Sequence, residues 1–163
     1  PIIVPPFPFP VGVQQQYAVG NAGRGKSKGI EATLNGAPTP WWKLELSYSY
    51  LDLDVSSPPG TYVLSGDGSS PRHQVRLDSK MNVTNRFSLN TQIHYVGVTK
   101  NRERPAYTDL DIRAIYVVSP QVELSVVGSN LLKKRRLEYF QDTLPLELVY
   151  VPRSALFETR VRF

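Results

Sequence analysis

Cysteine is absent from the chain. That removes disulfide scaffolds, thiolate metal sites and cysteine nucleophiles. Long apolar runs are absent too: no stretch approaches the ~18–20 residues of a membrane-spanning helix. The most apolar segment, Ile2 to Val13, is interrupted by Pro5, Pro6, Pro8 and Pro10, which a helix interior does not tolerate. It also lacks an initiator Met, a basic start and a small-residue cleavage site, so it is not a secretory signal. A start at Pro1 agrees with this, and the expectation is that the sequence is part of something longer. Histidine is scarce: His73 and His94 are the only two, and they share no ligand spacing. Asp52 and Asp54, two apart at the mouth of a loop, read as solvated carboxylates. No Ser/His/Asp or paired-carboxylate set can be assembled. Neither a metal, a cofactor nor an enzyme is expected.

The charge is modest. Nineteen Lys+Arg against fourteen Asp+Glu leave a net +5, but the cations are scattered and no nucleic-acid-binding motif accompanies them. No nucleic-acid partner is expected.

What is present is alternation. From about residue 28 the chain reads as strands of period two. Ile30, Ala32 and Leu34 oppose Glu31, Thr33 and Asn35 within Gly29–Asn35. Trp42, Leu44, Leu46, Tyr48 and Tyr50 oppose Lys43, Glu45, Ser47 and Ser49. Val75, Leu77 and Met81 oppose Gln74, Arg76, Asp78 and Lys80. The pattern recurs over Arg86–Tyr95, Asp109–Tyr116 and Val122–Ser129. It ends with Phe157, Thr159, Val161 and Phe163 facing away from Glu158, Arg160 and Arg162. These are seven strands, and Val13–Val19 is a weaker eighth.

Short connections at 37–40, 83–85 and 119–120 alternate with longer ones at roughly 52–72, 99–107 and 131–152. Short turns therefore gather at one end of the sheet and long loops at the other, with the last strand running toward the short-turn end. Membrane barrels of the bacterial outer membrane have this asymmetry. The same period also suits a soluble antiparallel sheet, but aromatics at strand ends on the apolar face favour lipid. Trp42 and Tyr50 are eight residues apart, as are Phe87 and Tyr95. At ~3.3 Å per residue and a ~40° tilt that is ~20 Å of height, near the apolar band between two aromatic girdles. Tyr107 has the wrong parity for a girdle and reads as a loop residue. The predicted class is all-β: an antiparallel up-and-down transmembrane β-barrel or a portion of one, with about seven or eight strands.

One motif match is rejected. Gly20-Asn-Ala-Gly-Arg-Gly25-Lys26-Ser27 fits the phosphate-cradling P-loop pattern. That chemistry needs a helix after the loop, with N-terminal amides facing the phosphates. The residues after Ser27 read instead as a strand bounded by Gly36, Pro38 and Pro40. The basic run Lys133, Lys134, Arg135 and Arg136 starts a long loop. With Lys100, Arg102 and Arg104 on the neighbouring loop, it is a candidate contact for lipopolysaccharide phosphates.

Short segments in order carry a family likeness: Gly29-Ile30-Glu31, Trp42-Lys43-Leu44 through Ser47-Tyr48-Ser49-Tyr50-Leu51, Ser70-Pro71-Arg72-His73-Gln74, Tyr95-Val96-Gly97, and Pro105-Ala106-Tyr107-Thr108-Asp109-Leu110-Asp111. Gly128-Ser129-Asn130-Leu131-Leu132, Glu138-Tyr139, Pro152-Arg153-Ser154 and the terminal Phe163 complete the set. Over about residues 18–163 the chain resembles the C-terminal third or less of a TonB-dependent outer-membrane receptor. Glu138-Tyr139 stands where many relatives have Glu-Phe. The resemblance implies strands from a barrel of about 22, closed by an N-terminal plug. It implies uptake of a scarce nutrient, commonly a ferric siderophore, energised by the TonB system through an N-terminal part not contained in this sequence.

On that reading residues 1–12 are an unassigned Pro-rich segment and 13–163 are barrel strands. Arg76, Lys80, Arg113, Arg160 and Arg162 are lumen-facing candidates. Phe157, Val161 and Phe163 form the signal read by the barrel-assembly machinery. The partners are outer-membrane lipid and lipopolysaccharide, and the protein is a monomer of the bacterial outer membrane. Two alternatives stay open at this point: a complete eight-stranded outer-membrane barrel, in which Val13–Val19 pairs with the last strand, and a soluble lipocalin-like binding protein.

Overall fold

The computed structural model describes residues 20–21, 23–59, 68, 70–99, 104–139 and 149–163. The strands are β1 (Arg24–Thr39), β2 (Trp42–Ser56), β3 (His73–Met81), β4 (Phe87–Val96), β5 (Tyr107–Ser119), β6 (Val122–Ser129), β7 (Arg135–Tyr139), β8 (Val149–Pro152) and β9 (Ser154–Val161). Seven form one sheet in the order β1-β2-β3-β4-β5-β6-β9, and β7 and β8 form a separate two-stranded sheet. Every pairing is antiparallel. The seven strands read from the sequence are the seven of the large sheet.

The period-two pattern is preserved through the register. Leu34, Leu46, Leu77, Ile93 and Leu110 lie side by side across five strands, which puts their side chains on one face. Asn35, Glu45, Asp78, Gln92 and Asp111 make the neighbouring row, on the opposite face. The two faces are termed apolar and polar below.

Two of the short turns are closed by one hydroxyl device. Thr84 Oγ1 accepts from the backbone N–H of Arg86 (3.2 Å) and Phe87 (2.9 Å). Ser119 Oγ accepts from those of Gln121 (3.3 Å) and Val122 (3.2 Å). Such local side-chain acceptors stabilise a turn over continued extension. The β1–β2 connection is tighter, with Thr39 opposite Trp42 after a register shift between Gly36 and Thr39. Pro38 lies within that irregularity, where a missing N–H is tolerated. At the far end Arg162 N–H donates to Gln121 O (2.9 Å), so β9 finishes beside the β5–β6 turn, at the short-turn end as expected.

A water-soluble sheet would bury its apolar face against a second layer. Here no described residue forms a second layer over it. Leu34 is 70% exposed and Phe157 63%, and the buried apolar residues are only Val96 and Tyr107 among those described. Aromatic rings border this face at two levels. Trp42, Phe87 and Tyr116 lie near the short turns, with Phe87 opposite Tyr116. Tyr48, Tyr50 and Tyr95 lie toward the long loops, where Tyr48 Oη is 2.9 Å from His73 Nδ1 and the Tyr50 ring is 5.1 Å from the His73 ring. Trp42 Nε1–H donates to Ser79 Oγ (2.9 Å), satisfying the indole within the wall. This is the arrangement of a lipid-facing surface, and it removes the soluble lipocalin-like alternative.

The order of the sheet ends at β1 and β9, which are not joined to each other; the sheet is part of a barrel rather than a closed one. The eighth strand expected at Val13–Val19, with the Pro-rich 1–12 segment, lies outside the described residues.

Three expectations need correction. Residues 131–152 read as an uninterrupted loop, yet they contain the β7–β8 hairpin. Tyr107 reads as a loop residue, yet it opens β5 opposite Val96; its odd parity is real and places it on the polar face. Asp52 and Asp54 belong to β2 rather than to a loop mouth, and Asp52 pairs with Arg72 (3.0 Å). The P-loop reading is excluded by the fold: Arg24 onward is strand, and Lys26 sits opposite Asp54.

Candidate functional site

Along most of the polar face, cations are matched to acids on the same strand or within two strands. Arg76 Nε donates to Asp78 Oδ2 (2.6 Å) on its own strand, and Gln92 Nε2 donates to Asp78 Oδ1 (2.9 Å) from β4. Arg113 Nη2 reaches across β6 to Glu158 Oε2 (2.9 Å), which also accepts from Ser125 Oγ (2.9 Å). Arg160 Nη1 lies 3.4 Å from Glu123 Oε1. These pairs are largely exposed, so each contributes ~1 kcal/mol or less. Their main effect is to leave the wall close to charge-balanced. A groove of about 390 Å³ crosses β1–β4 on this face, lined by Glu31, Thr33, Ser47, Gln74, Arg76 and His94 among others.

At the long-loop end the polar face changes character. Tyr107 is 9% exposed, and three side chains gather on its ring. The guanidinium carbon of Arg136, from β7, lies 4.3 Å from the ring centroid, and that of Arg104 lies at 5.3 Å. The His94 ring meets Tyr107 edge-on at 6.5 Å. Arg136 Nε also pairs with Asp109 Oδ2 at 3.2 Å, with both side chains only 13% and 12% exposed. Arg104 is positioned by a reciprocal backbone pair with Thr99 (3.0 and 3.2 Å) and by donating from Nη2 to Thr99 Oγ1 (3.2 Å). Stacking on an aromatic face suits guanidinium better than ammonium.

Asn130 follows β6 and bonds to both β5 and β8. It is 2% exposed and has a φ of 53°, a left-handed conformation that Asn enters more readily than most residues. Its backbone N–H donates to Asp111 Oδ1 (2.9 Å), and its Nδ2 donates to the Val151 carbonyl of β8 (2.8 Å). Leu131 N–H donates to Leu110 O (3.0 Å). The chain thus leaves β6 sharply, and the hairpin is tied back to β5.

A family model described as "TonB dependent receptor-like, beta-barrel" matches residues 3–131. The chain belongs to this family. It is therefore a protein of the bacterial outer membrane, from a family of transporters and not of enzymes. Solved structures agree in fold. The ferric-catecholate import receptor Fiu of E. coli K12 superposes with a TM-score of 0.67 at 18% identity, over 86% of this chain and 21% of that one. The siderophore receptor PiuA of Acinetobacter baumannii gives 0.65 at 24% identity, over 85% and 22%. The ferripyoverdine receptor of the Pseudomonas aeruginosa outer membrane gives 0.62 at 19%, over 84% and 19%. The chain spans about a fifth of each of these receptors.

On this segment of TonB-dependent receptor barrel, the candidates read from sequence divide by face. Arg76, Lys80, Arg113 and Arg160 lie on the polar face, and all but Lys80 are engaged by the acids named above. Lys80 stands opposite Lys43. Arg162 lies just past β9, beside the β5–β6 turn. Phe157 and Val161 point to the apolar face, with Phe163 fully exposed. Lys100 and Arg102 lie outside the described residues. The basic run divides. Lys133 and Lys134 are exposed, whereas Arg135 lies 4.7 Å over the Tyr150 ring and Arg136 is committed to Tyr107 and Asp109. Arg104 and Arg136, grouped in sequence with the lipopolysaccharide candidates, come together on the polar face instead. The signal that could have found this cluster is the alternation Tyr107, Asp109, Asp111, which continues β5 backward past the apparent loop.

Proposed function

We propose that this chain is a stretch of barrel wall in a TonB-dependent receptor that takes up a scarce nutrient, a ferric siderophore or a similar anionic complex. The observation that carries the reading is the Tyr107 cluster. Two guanidinium groups and an imidazole converge on one aromatic ring, at the long-loop end of the face that the bilayer does not cover. Anionic, aromatic-rich metal complexes are recognised by this combination of stacking and charge. The named neighbours, receptors for a ferric catecholate, a siderophore and ferripyoverdine, support the same ligand class.

The apolar face meets lipid through Leu44, Leu46, Leu89, Ile93, Leu110, Ile112 and Val161. Arg76, Lys80, Arg113, Arg160 and Arg162 face the lumen. Because most of these arginines are already paired, we assign them to shaping the lumen wall rather than to drawing anions through it. The family implies energy supplied by the TonB system. Lys133 and Lys134 are the residues of the basic run best placed for lipopolysaccharide. Phe157, Val161 and Phe163 are proposed as the contact for the barrel-assembly machinery, and the receptor as a monomer.

The test is growth of iron-starved cells that depend on this protein for a ferric catecholate. Deleting the gene should abolish uptake of the complex, complementation should restore it, and loss of TonB should abolish it again. Uptake that persists without the gene or without TonB argues against the proposal.

A further inference from the structure

The β7–β8 hairpin is a sheet of its own, and among the described residues it meets the wall through few polar contacts. Arg136 pairs with Asp109 (3.2 Å) and covers Tyr107 (4.3 Å), and Asn130 Nδ2 donates to Val151 O (2.8 Å). Apolar packing adds little: Val149 is half exposed, and Tyr150 is covered by Arg135 of the hairpin itself. Arg104 also lies over the Tyr107 ring, at 5.3 Å from its centroid, and no carboxylate among the described residues pairs with it. One ring is therefore shared by a guanidinium that already holds an anion and one that pairs with no carboxylate among the described residues.

From this we infer that Asp109 is a built-in stand-in for the ligand: it keeps Arg136, and with it the hairpin, on the wall until a more highly charged anion takes the guanidinium. The inference rests on the anionic-ligand reading above. The exchange is like for like, because a guanidinium pairs with a carboxylate oxygen, as Arg136 Nε does with Asp109 Oδ2 at 3.2 Å, and with a catecholate oxygen through the same charge-assisted contact. A largely desolvated ion pair also has a net stability far below its Coulombic attraction, so replacing one anion by another costs little. A monocarboxylate gains nothing over Asp109. A trianionic complex, attracted to Arg104 first, displaces it. Asp109 would then both latch the hairpin and exclude small anions.

The hairpin is followed by a spin label at Val149→Cys on β8, read in the full-length protein, with any cysteine outside this sequence replaced by serine, reconstituted into phospholipid vesicles. Asp109→Asn keeps the side-chain shape but weakens the hold on Arg136, and its label should become more mobile. Arg136→Lys should give an intermediate effect, since an ammonium retains the charge but not the stacked fork. Heat-modifiable gel migration confirms that each variant is folded. Diamagnetic gallium(III) tris-catecholate should mobilise the hairpin of the parent protein, acetate should not, and Asp109→Asn should bind the gallium complex about tenfold more tightly. A label that rises in mobility with Asp109→Asn but never with the gallium complex retains the latch and removes the siderophore reading. A label unchanged by Asp109→Asn overturns the latch, whatever the ligand does.

Discussion

Leu46 lies four residues from Trp42 and four from Tyr50 on the same face of β2, midway between the two aromatic levels. Its register neighbours are Leu34 and Leu77, and it is 41% exposed, with no second layer over it among the described residues. Four residues at ~3.3 Å, tilted by ~40°, put it ~10 Å from either girdle. Arginine there must either stay in hydrocarbon or stretch most of its length to reach headgroups, so Leu46→Arg should cost ~2–4 kcal/mol. That is roughly 30- to 700-fold in the folding equilibrium. Ser47, the next residue, lines the polar groove beside Thr33 and Arg76. Ser47→Arg loses the 3.3 Å contact with Thr33 Oγ1 and faces Arg76 across the strand pair. Both are exposed terms that together amount to about 1 kcal/mol or less. Urea unfolding from phospholipid vesicles, read by heat-modifiable migration, measures both. Equal costs for the two variants would refute the assignment of faces, and a larger cost for Ser47→Arg would reverse it.

Further outcomes are expected elsewhere in the wall. Asn130→Ala loses the bond to Val151 and places an ordinary Cβ at φ 53°. It should cost ~2–3 kcal/mol, against ~1 kcal/mol for Asn130→Gly, which loses the bond alone; equal denaturant midpoints would remove the strain component. Gly29→Ala would bring a Cβ to 2.9 Å from the Tyr50 carbonyl oxygen, and pushing the β1–β2 ladder apart should cost ~1–3 kcal/mol. An unfolding midpoint unchanged from the parent would contradict this. Replacing Lys133 and Lys134 by Gln should weaken lipopolysaccharide binding in a salt-dependent way, whereas unchanged binding would reassign both to plain solvation. Deleting Phe163 should lower the amount of receptor in the outer membrane without altering ligand affinity in the receptor that does assemble. Normal surface levels would contradict the assembly role.

The wall was legible in the sequence because lipid and lumen impose opposite polarity on alternate residues. Leu44 against Glu45 or Ile93 against Gln92 states the face directly, and turn length states the end. The periphery was not legible, for local reasons. The Arg135-Arg136-Leu137 stretch is too basic and too short to announce a strand, and its partner Val149-Tyr150-Val151 is cut off at Pro152. Tyr107 comes after Pro105 and Ala106 and so resembles the end of a loop; only its pairing with Val96 makes it a strand residue. The division of the basic run arises from tertiary contact. Nothing in Lys133-Lys134-Arg135-Arg136 distinguishes the fourth residue until Asp109 and Tyr107 are brought beside it. The paired state of Arg113 and Arg160 is likewise a property of tertiary contact between strands: Glu158 is forty-five residues from the arginine it pairs with.

The most direct test of the wall itself is a nitroxide scan of β4, from Phe87 to Val96, in the protein reconstituted in lipid. Accessibility to oxygen, which partitions into the bilayer, should peak at Leu89, Thr91, Ile93 and Tyr95. Accessibility to a polar nickel chelate should peak at Ser88, Asn90, Gln92 and His94, out of phase by one residue. Two profiles that rise and fall together, or an oxygen maximum on Asn90 and Gln92, would contradict a lipid-facing apolar surface and the membrane wall that depends on it.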